Sequence, residues 1–216
     1  MSPALGAEGP GILELHRWRR LDWHLLLPEF SASRVACAGA VDDELRNALP
    51  LLAGELHEPR TPADWRSLSG TCDAVVLVRP ARTDLHRAAE LLRPGGWLYA
   101  EVRRMTFASR PGTVPGWRAE LVRLGLRDVS AHWHLTGPAG PTTLVSLDSR
   151  TAVRAAIRQR EGGRLGSTPG RVTEGLLDLR LLPWVIREGS VAGRRPLPPS
   201  RTSSSAPSPT TGTTSA

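Results

Sequence analysis

Residues 91–102 read LLRPGGWLYAEV, and this stretch decides the fold class. A helical pattern runs into Pro94-Gly95-Gly96 and a strand pattern follows at once. Pro94 cannot continue a helix, because its ring removes a donor and clashes with the preceding turn. Gly95 or Gly96 can adopt the left-handed conformation that closes a helix C-terminus. Shortly upstream lies a second apolar run, Ala74–Val78 (AVVLV), opened by Asp73. Strand, helix, Pro-Gly-Gly and strand in that order predict a right-handed crossover in a parallel sheet.

Working outward, Arg34–Ala38 predicts a short buried strand running into Gly39. Asp42 and Asp43 supply an N-cap and an acidic first turn for a helix over 44–52, which Pro50 kinks or stops. Gly54–His57 predicts a second short strand, and residues 63–68 one short helix. The helix 83–93 carries Leu85, Ala88, Ala89 and Leu92 on one stripe. Thr113 and Pro115 open a further helix whose inner face is Trp117, Leu121 and Leu124, ended by Gly125. Leu126–Leu135 alternates as a strand. Thr142–Leu147 is a strand or an extended loop, 151–161 a basic helix, 172–182 a leucine-rich helix, and Ser190–Arg194 a final edge strand. The pattern predicts an α/β, Rossmann-like, doubly wound and mostly parallel sheet with a helical C-terminal extension. The expected organisation is an N-terminal arm at 1–29, an α/β domain at 30–149, a helical extension at 150–195 and a disordered tail at 196–216. Ser, Thr, Pro, Gly and Ala dominate that tail, which has no apolar periodicity to offset the entropy of ordering.

The chain has 216 residues, a formal charge of +7 and 28 basic residues, every one an arginine. A nucleic-acid binder gathers basic residues on one face with aromatics between them. Here they are spread over helices, turns and strand ends, which argues for a compositional preference and against nucleic acid. His16-Arg17-Trp18-Arg19-Arg20 is the one local basic-aromatic group. The two cysteines, Cys37 and Cys72, form no CxxC pair and fall at opposite ends of neighbouring strands, so neither a zinc site nor a disulfide is expected. No stretch has signal-peptide character or membrane-spanning length, and a cytoplasmic location without membrane insertion is the expectation.

The order of residues resembles the class I S-adenosylmethionine-dependent methyltransferases. Asp73–Leu77 is similar to that family's fourth strand, Leu91–Leu98 to its helix-to-fifth-strand turn, and Trp117–Trp133 to its last helix and sixth strand. The resemblance covers about residues 30–135, with either 142–147 or 190–194 supplying the last strand. It implies S-adenosylmethionine as cofactor and a small molecule or glycan as methyl acceptor. The family's first strand ends in an acid and a glycine-rich turn. In Val35–Asp43 only Gly39 matches, Cys37 standing where the acid would be and Val41 where another glycine would be. The chain between the second strand and Asp73 is too short for a further strand and helix, so one strand-helix unit is absent.

The resemblance places a cofactor against Ala38, Gly39, Ala40, Glu58 and Arg79, Glu58 (with Glu55 as the alternative) taking the ribose-binding acid's place. Each residue also has a plainer role. Gly39 suits a tight turn, Asp42 and Asp43 suit helix capping, and Pro80 suits strand termination. Glu101 is a general base or, more simply, a solvent-facing edge acid. His132 and His134 share one strand face at a metal-ligand spacing but lack an evident third ligand. No Ser-His-Asp or Cys-His constellation assembles from local motifs. Two function classes follow: a methyltransferase acting on a small-molecule substrate, or a catalytically inactive relative that binds a protein partner. Trp18, Trp23 and Trp184 lie outside the core pattern and could anchor an interface in the second case.

Overall fold

The computed structural model describes residues 18, 20–28, 30, 32–103, 112–136, 142–162, 181–186 and 188–198. A 3-10 turn at Asp22–Leu26 precedes β1 (Arg34–Gly39), α1 (Asp43–Ala48), β2 (Glu55–His57), α2 (Pro62–Ser67) and β3 (Cys72–Val78). There follow α3 (Arg82–Leu91), β4 (Leu92–Arg103), α4 (Val114–Arg123), β5 (Arg127–Thr136), β6 (Thr142–Ser146), α5 (Arg150–Gly162), α6 (Leu182–Val185) and β7 (Glu188–Arg194). The helix predicted at 172–182 and the tail beyond 198 lie outside the described residues.

Local chemistry sets the helix starts. Asp42 Oδ1 accepts from Leu45 N at 2.7 Å, and Thr113 Oγ1 accepts from Gly116 N at 3.2 Å. Thr61 and Asp64 form a reciprocal capping box at the start of α2. Pro50 ends regular helix after Ala48, and the chain continues as a 3-10 turn over Leu49–Leu51.

The strands form one sheet in the order β2-β1-β3-β4-β7-β5-β6. β1 through β4 are mutually parallel where paired, and β7 runs antiparallel between β4 and β5. One expectation changes here. Ser190–Arg194 is an interior strand, hydrogen-bonded on both sides, and β6 takes the edge against β5. Between β2 and β3, residues 58–71 hold only α2, so the absent strand-helix unit is a fact of the fold.

The corner at 91–102 also differs in detail. α3 stops at Leu91, and Leu92 is already extended at φ −64°, ψ 135°. Pro94 and Gly95 therefore belong to β4, where the register against β3 jumps from Cys72↔Leu92 to Ala74↔Trp97. Gly95, at φ +81°, serves this bulge and not the helix end.

The sheet is the middle of three layers. Leu21, Trp23, Leu27, Leu45 and Leu49 cover one face over Val35, Cys37, Val76 and Tyr99. Leu85, Leu91, Trp117, Leu121 and Ile157 cover the other over Val75, Leu77, Leu98 and Ala100. Trp23 is a core residue, 2% exposed and stacked on Tyr99 at 4.7 Å, which corrects its reading as an interface anchor. Cys37 and Cys72 are buried free thiols.

Gly39 sits where β1 and β3 approach most closely. It has φ +95°, and a Cβ there would lie 2.2 Å from the Val78 carbonyl oxygen. Gly125, at φ +80°, ends α4 with nothing within 4 Å of a Cβ. Gly125→Ala therefore meets only the left-handed backbone penalty of about 1 kcal/mol, whereas Gly39→Ala adds a backbone collision and costs at least about 3 kcal/mol. Urea unfolding of the two variants measures the gap; equal losses would show that the β1–β3 approach imposes no constraint.

Candidate functional site

The chain passes from β1 outward to β2 and then crosses back over β1 to β3. The winding direction thus reverses between β1 and β3. In open α/β sheets this is where ligands bind, in the crevice outside the carboxyl ends of the strands. Four of the five predicted site residues converge there. Gly39 is in register with Val78, Ala40 N donates to Val78 O at 2.8 Å, and Arg79 N donates to Glu101 O at 2.8 Å. Gly39, Ala40 and Arg79 are exposed and Ala38 is half-buried. Arg79 has φ +50°, an uncommon conformation for a side-chain-bearing residue.

Glu58 lies apart, just past β2 on the far side of β1. Arg60 Nη2 and Arg46 Nε each donate to its carboxylate at 3.1 Å. Arg60, followed by Arg46, holds the Glu58 carboxyl below its ordinary range against the opposing effect of burial. Arg46 also donates to Asp43 Oδ1 at 2.7 Å and to the Val41 carbonyl, which ties Glu58 to the β1–α1 turn. Glu55, the alternative acid, is at the N-terminal end of β2 and pairs with Arg34 at 2.9 Å.

The centre of the crevice holds a cluster that local sequence patterns do not reveal. Arg20 Nη1 and Nη2 donate to Glu101 Oε1 and Oε2 at 2.5 and 2.9 Å, and Nη2 donates to Asp42 Oδ2 at 3.0 Å. Because β3 lies between β1 and β4, this guanidinium straddles the end of β3. Glu101 is thus an interior, ion-paired acid whose side chain is 14% exposed, which corrects its reading as a solvent-facing edge residue. Burial opposes the charge on Arg20, but Glu101 and Asp42 together raise its pKa further. Beneath, the Cys37 thiol is pushed up to about 12, first by burial and then by Glu58 and Glu101. It is protonated at neutral pH and is no nucleophile. Of the His16–Arg20 group only Trp18 and Arg20 are described, Trp18 facing solvent and Arg20 turned inward.

Glu101, Ser190 and His132 occupy one rung across β4, β7 and β5. His134 lies two residues further along the same strand face. His132 Nδ1 and His134 Nε2 are buried without a hydrogen-bond partner. Among the described residues no group of three His, Cys, Asp or Glu side chains could hold a metal ion. Nor is any helix there long and apolar enough to cross a membrane.

No protein-family model matches the sequence, and no curated protein matches it. Solved structures do. A S-adenosylmethionine-dependent methyltransferase from Archaeoglobus fulgidus aligns over 85% of this chain and 94% of its own, at 14% identity and a TM-score of 0.48. One from Thermotoga maritima aligns over 85% and 92%, at 13% identity and a TM-score of 0.46. The cyclase SpnF aligns over 91% and 85%, at 10% identity and a TM-score of 0.39. Identities this low speak to the fold alone.

The crevice can be tested against the nucleoside-bearing donor that the sequence resemblance implies. The exposed Gly39–Ala40 backbone leaves room at the end of β1, whereas Glu58 lies past β2 and is engaged by Arg46 and Arg60. The region beside Glu101 and Asp42 is taken by Arg20.

Burial pushes the His134 pKa down to about 4, against Glu101 and with Arg20 and His132 nearby, and it lowers His132 as well. The unfolded chain binds protons on these residues below about 6.5 while the folded chain does not, so stability falls as pH drops from about 6.5 toward 4. For His134 alone the loss approaches about 3 kcal/mol. Thermal melts across that range measure it, and His134→Gln flattens the slope; an unchanged slope would remove His134 as its source. The architecture is a Rossmann-like α/β sheet whose winding reverses between β1 and β3.

Proposed function

We propose that this chain binds S-adenosylmethionine in the crevice outside β1 and β3 and transfers its methyl group to a small-molecule acceptor. The observation that carries the reading is the exposed Gly39–Ala40 turn at the point where the sheet reverses its winding. Backbone free of bulky side chains at that point admits a nucleoside at close range. Glu58, on the adjacent rim, is the carboxylate suited to accept hydrogen bonds from ribose hydroxyls. Arg79, exposed at the end of β3, bounds the other side. When bound, the donor supplies an electrophilic methyl carbon. The chain's own contribution is to hold donor and acceptor in line, since proximity and orientation account for most of what such a transfer needs.

A second reading, a catalytically inactive relative that binds a protein partner, is favoured by one specific feature. Arg20 engages both Glu101 and Asp42 and so fills the crevice from within. The missing strand-helix unit, which would wall the nucleoside pocket, points the same way. Trp18 and Trp184, 43% and 52% exposed, are the anchors such a partner would cover.

Calorimetric titration with S-adenosylhomocysteine separates the two. The first reading expects one-to-one binding with a dissociation constant below about 1 mM, weakened about tenfold in Glu58→Gln, the size of one lost charge-assisted hydrogen bond. Arg20→Ala, which empties the centre of the crevice, binds at least as tightly as the wild type. Absence of heat at millimolar ligand in both the wild type and Arg20→Ala would overturn the first reading.

A further inference from the structure

On the opposite face of the sheet, α3 and α4 form a groove lined by Arg82, Thr83, His86, Arg87 and Arg123, with a volume of about 440 Å³. We propose that this groove binds the phosphate group of a small phosphorylated molecule, at a site separate from the crevice between β1 and β3.

The organising residue is Glu120, whose side chain is only 8% exposed. Arg82 donates to it through Nε and Nη2 at 3.0 and 3.3 Å. Arg123 donates through Nε and Nη2 at 3.1 and 2.5 Å. His86 Nε2 lies 2.8 Å from the same carboxylate. Arg123 above all, with Arg82 and His86, draws the Glu120 pKa down to about 2 against burial, so the carboxylate stays charged and keeps its partners at any neutral pH.

This arrangement gathers cations where isolated arginines would repel one another. Both forks spend Nε and Nη2 on Glu120, so the Nη1 groups of Arg82 and Arg123 are left for another acceptor. Arg87, exposed on the same wall one turn of α3 beyond Thr83, has no ion-pair partner among the described residues. Three guanidinium groups against one carboxylate leave the groove with a net charge of +2. Of the two acids on α3, Asp84 accepts from Ala81 N at 2.9 Å, and neither it nor Glu90 lines the groove. Planar guanidinium donors lining one groove suit the several oxygens of a phosphate. The groove is open to solvent, so a phosphate group can reach it without a conformational change.

Calorimetric titration of the whole chain with inorganic pyrophosphate, at about 20 mM salt, tests the proposal. Binding of one pyrophosphate per chain is expected, weakened at least about tenfold by Arg87→Ala and by several fold at about 0.2 M salt. Arg87 is exposed, so the variant folds as the wild type does, and Arg66→Ala, at an exposed arginine of α2 outside the groove, leaves this binding unchanged. No binding at about 10 mM pyrophosphate, or equal affinity in Arg87→Ala, overturns the proposal. So does a single-stranded oligonucleotide that binds more tightly and loses affinity more steeply with salt than pyrophosphate, since the groove would then belong to nucleic acid. None of these outcomes depends on whether S-adenosylhomocysteine binds.

Discussion

Burial of β3 on both faces is the constraint from which the rest of this structure follows. All seven of its residues, Cys72–Val78, are buried. A strand in that position must find hydrogen-bond partners on both edges and apolar cover above and below, because unpaired backbone groups there cost about as much as lost hydrogen bonds. β1 and β4 satisfy the edges in parallel, and the helical layers supply the cover. The one acid in the strand, Asp73, is 7% exposed and is answered from both sides. It accepts from Arg34 N at the start of β1 and from the Arg93 side chain at the start of β4. A single carboxylate thus ties the N-terminal ends of three strands together, while Gly39 permits their close approach at the other end.

The arginine-rich composition acquires a meaning in this setting. Arg20, Arg46, Arg93 and Arg123 each serve an acid in the folded chain. The guanidinium fork is suited to this, since it satisfies two oxygens at once and stays charged when partly buried. At the crevice the consequence is an internal balance. Glu58, Asp42 and Glu101 are all matched by arginines of the same chain, so any ligand entering between β1 and β4 competes with Arg20. The groove over Glu120 has the reverse balance, with cations in excess.

Much of the fold was legible because its signals are local. The apolar run after Asp73, the cap at Asp42, the Thr113–Pro115 helix start and the Gly125 stop depend on neighbours within a turn, and the structure has each of them. The corner at 91–102 was legible in kind and misread in detail. The local pattern puts Pro94 and Gly95 at the end of a helix, yet they form a bulge in β4, because the jump in register against β3 is set by a strand that sequence proximity does not identify. β7 was placed at the edge for the same reason. Its short, Gly-containing run carries no mark of the partners on either side.

Beyond what the family resemblance implies, the sequence by itself determined the α/β class, most element positions and the short connection from β2 to β3. Those follow from spacing, capping and strand order, which act over short stretches of chain. Only the tertiary structure decided that Arg20 reaches Glu101 across 81 positions, that Trp23 is a core residue, and that Arg82, His86 and Arg123 share one buried carboxylate. Charge pairing and packing act through space, and no periodicity in the chain records which distant side chains the sheet will bring within 3 Å.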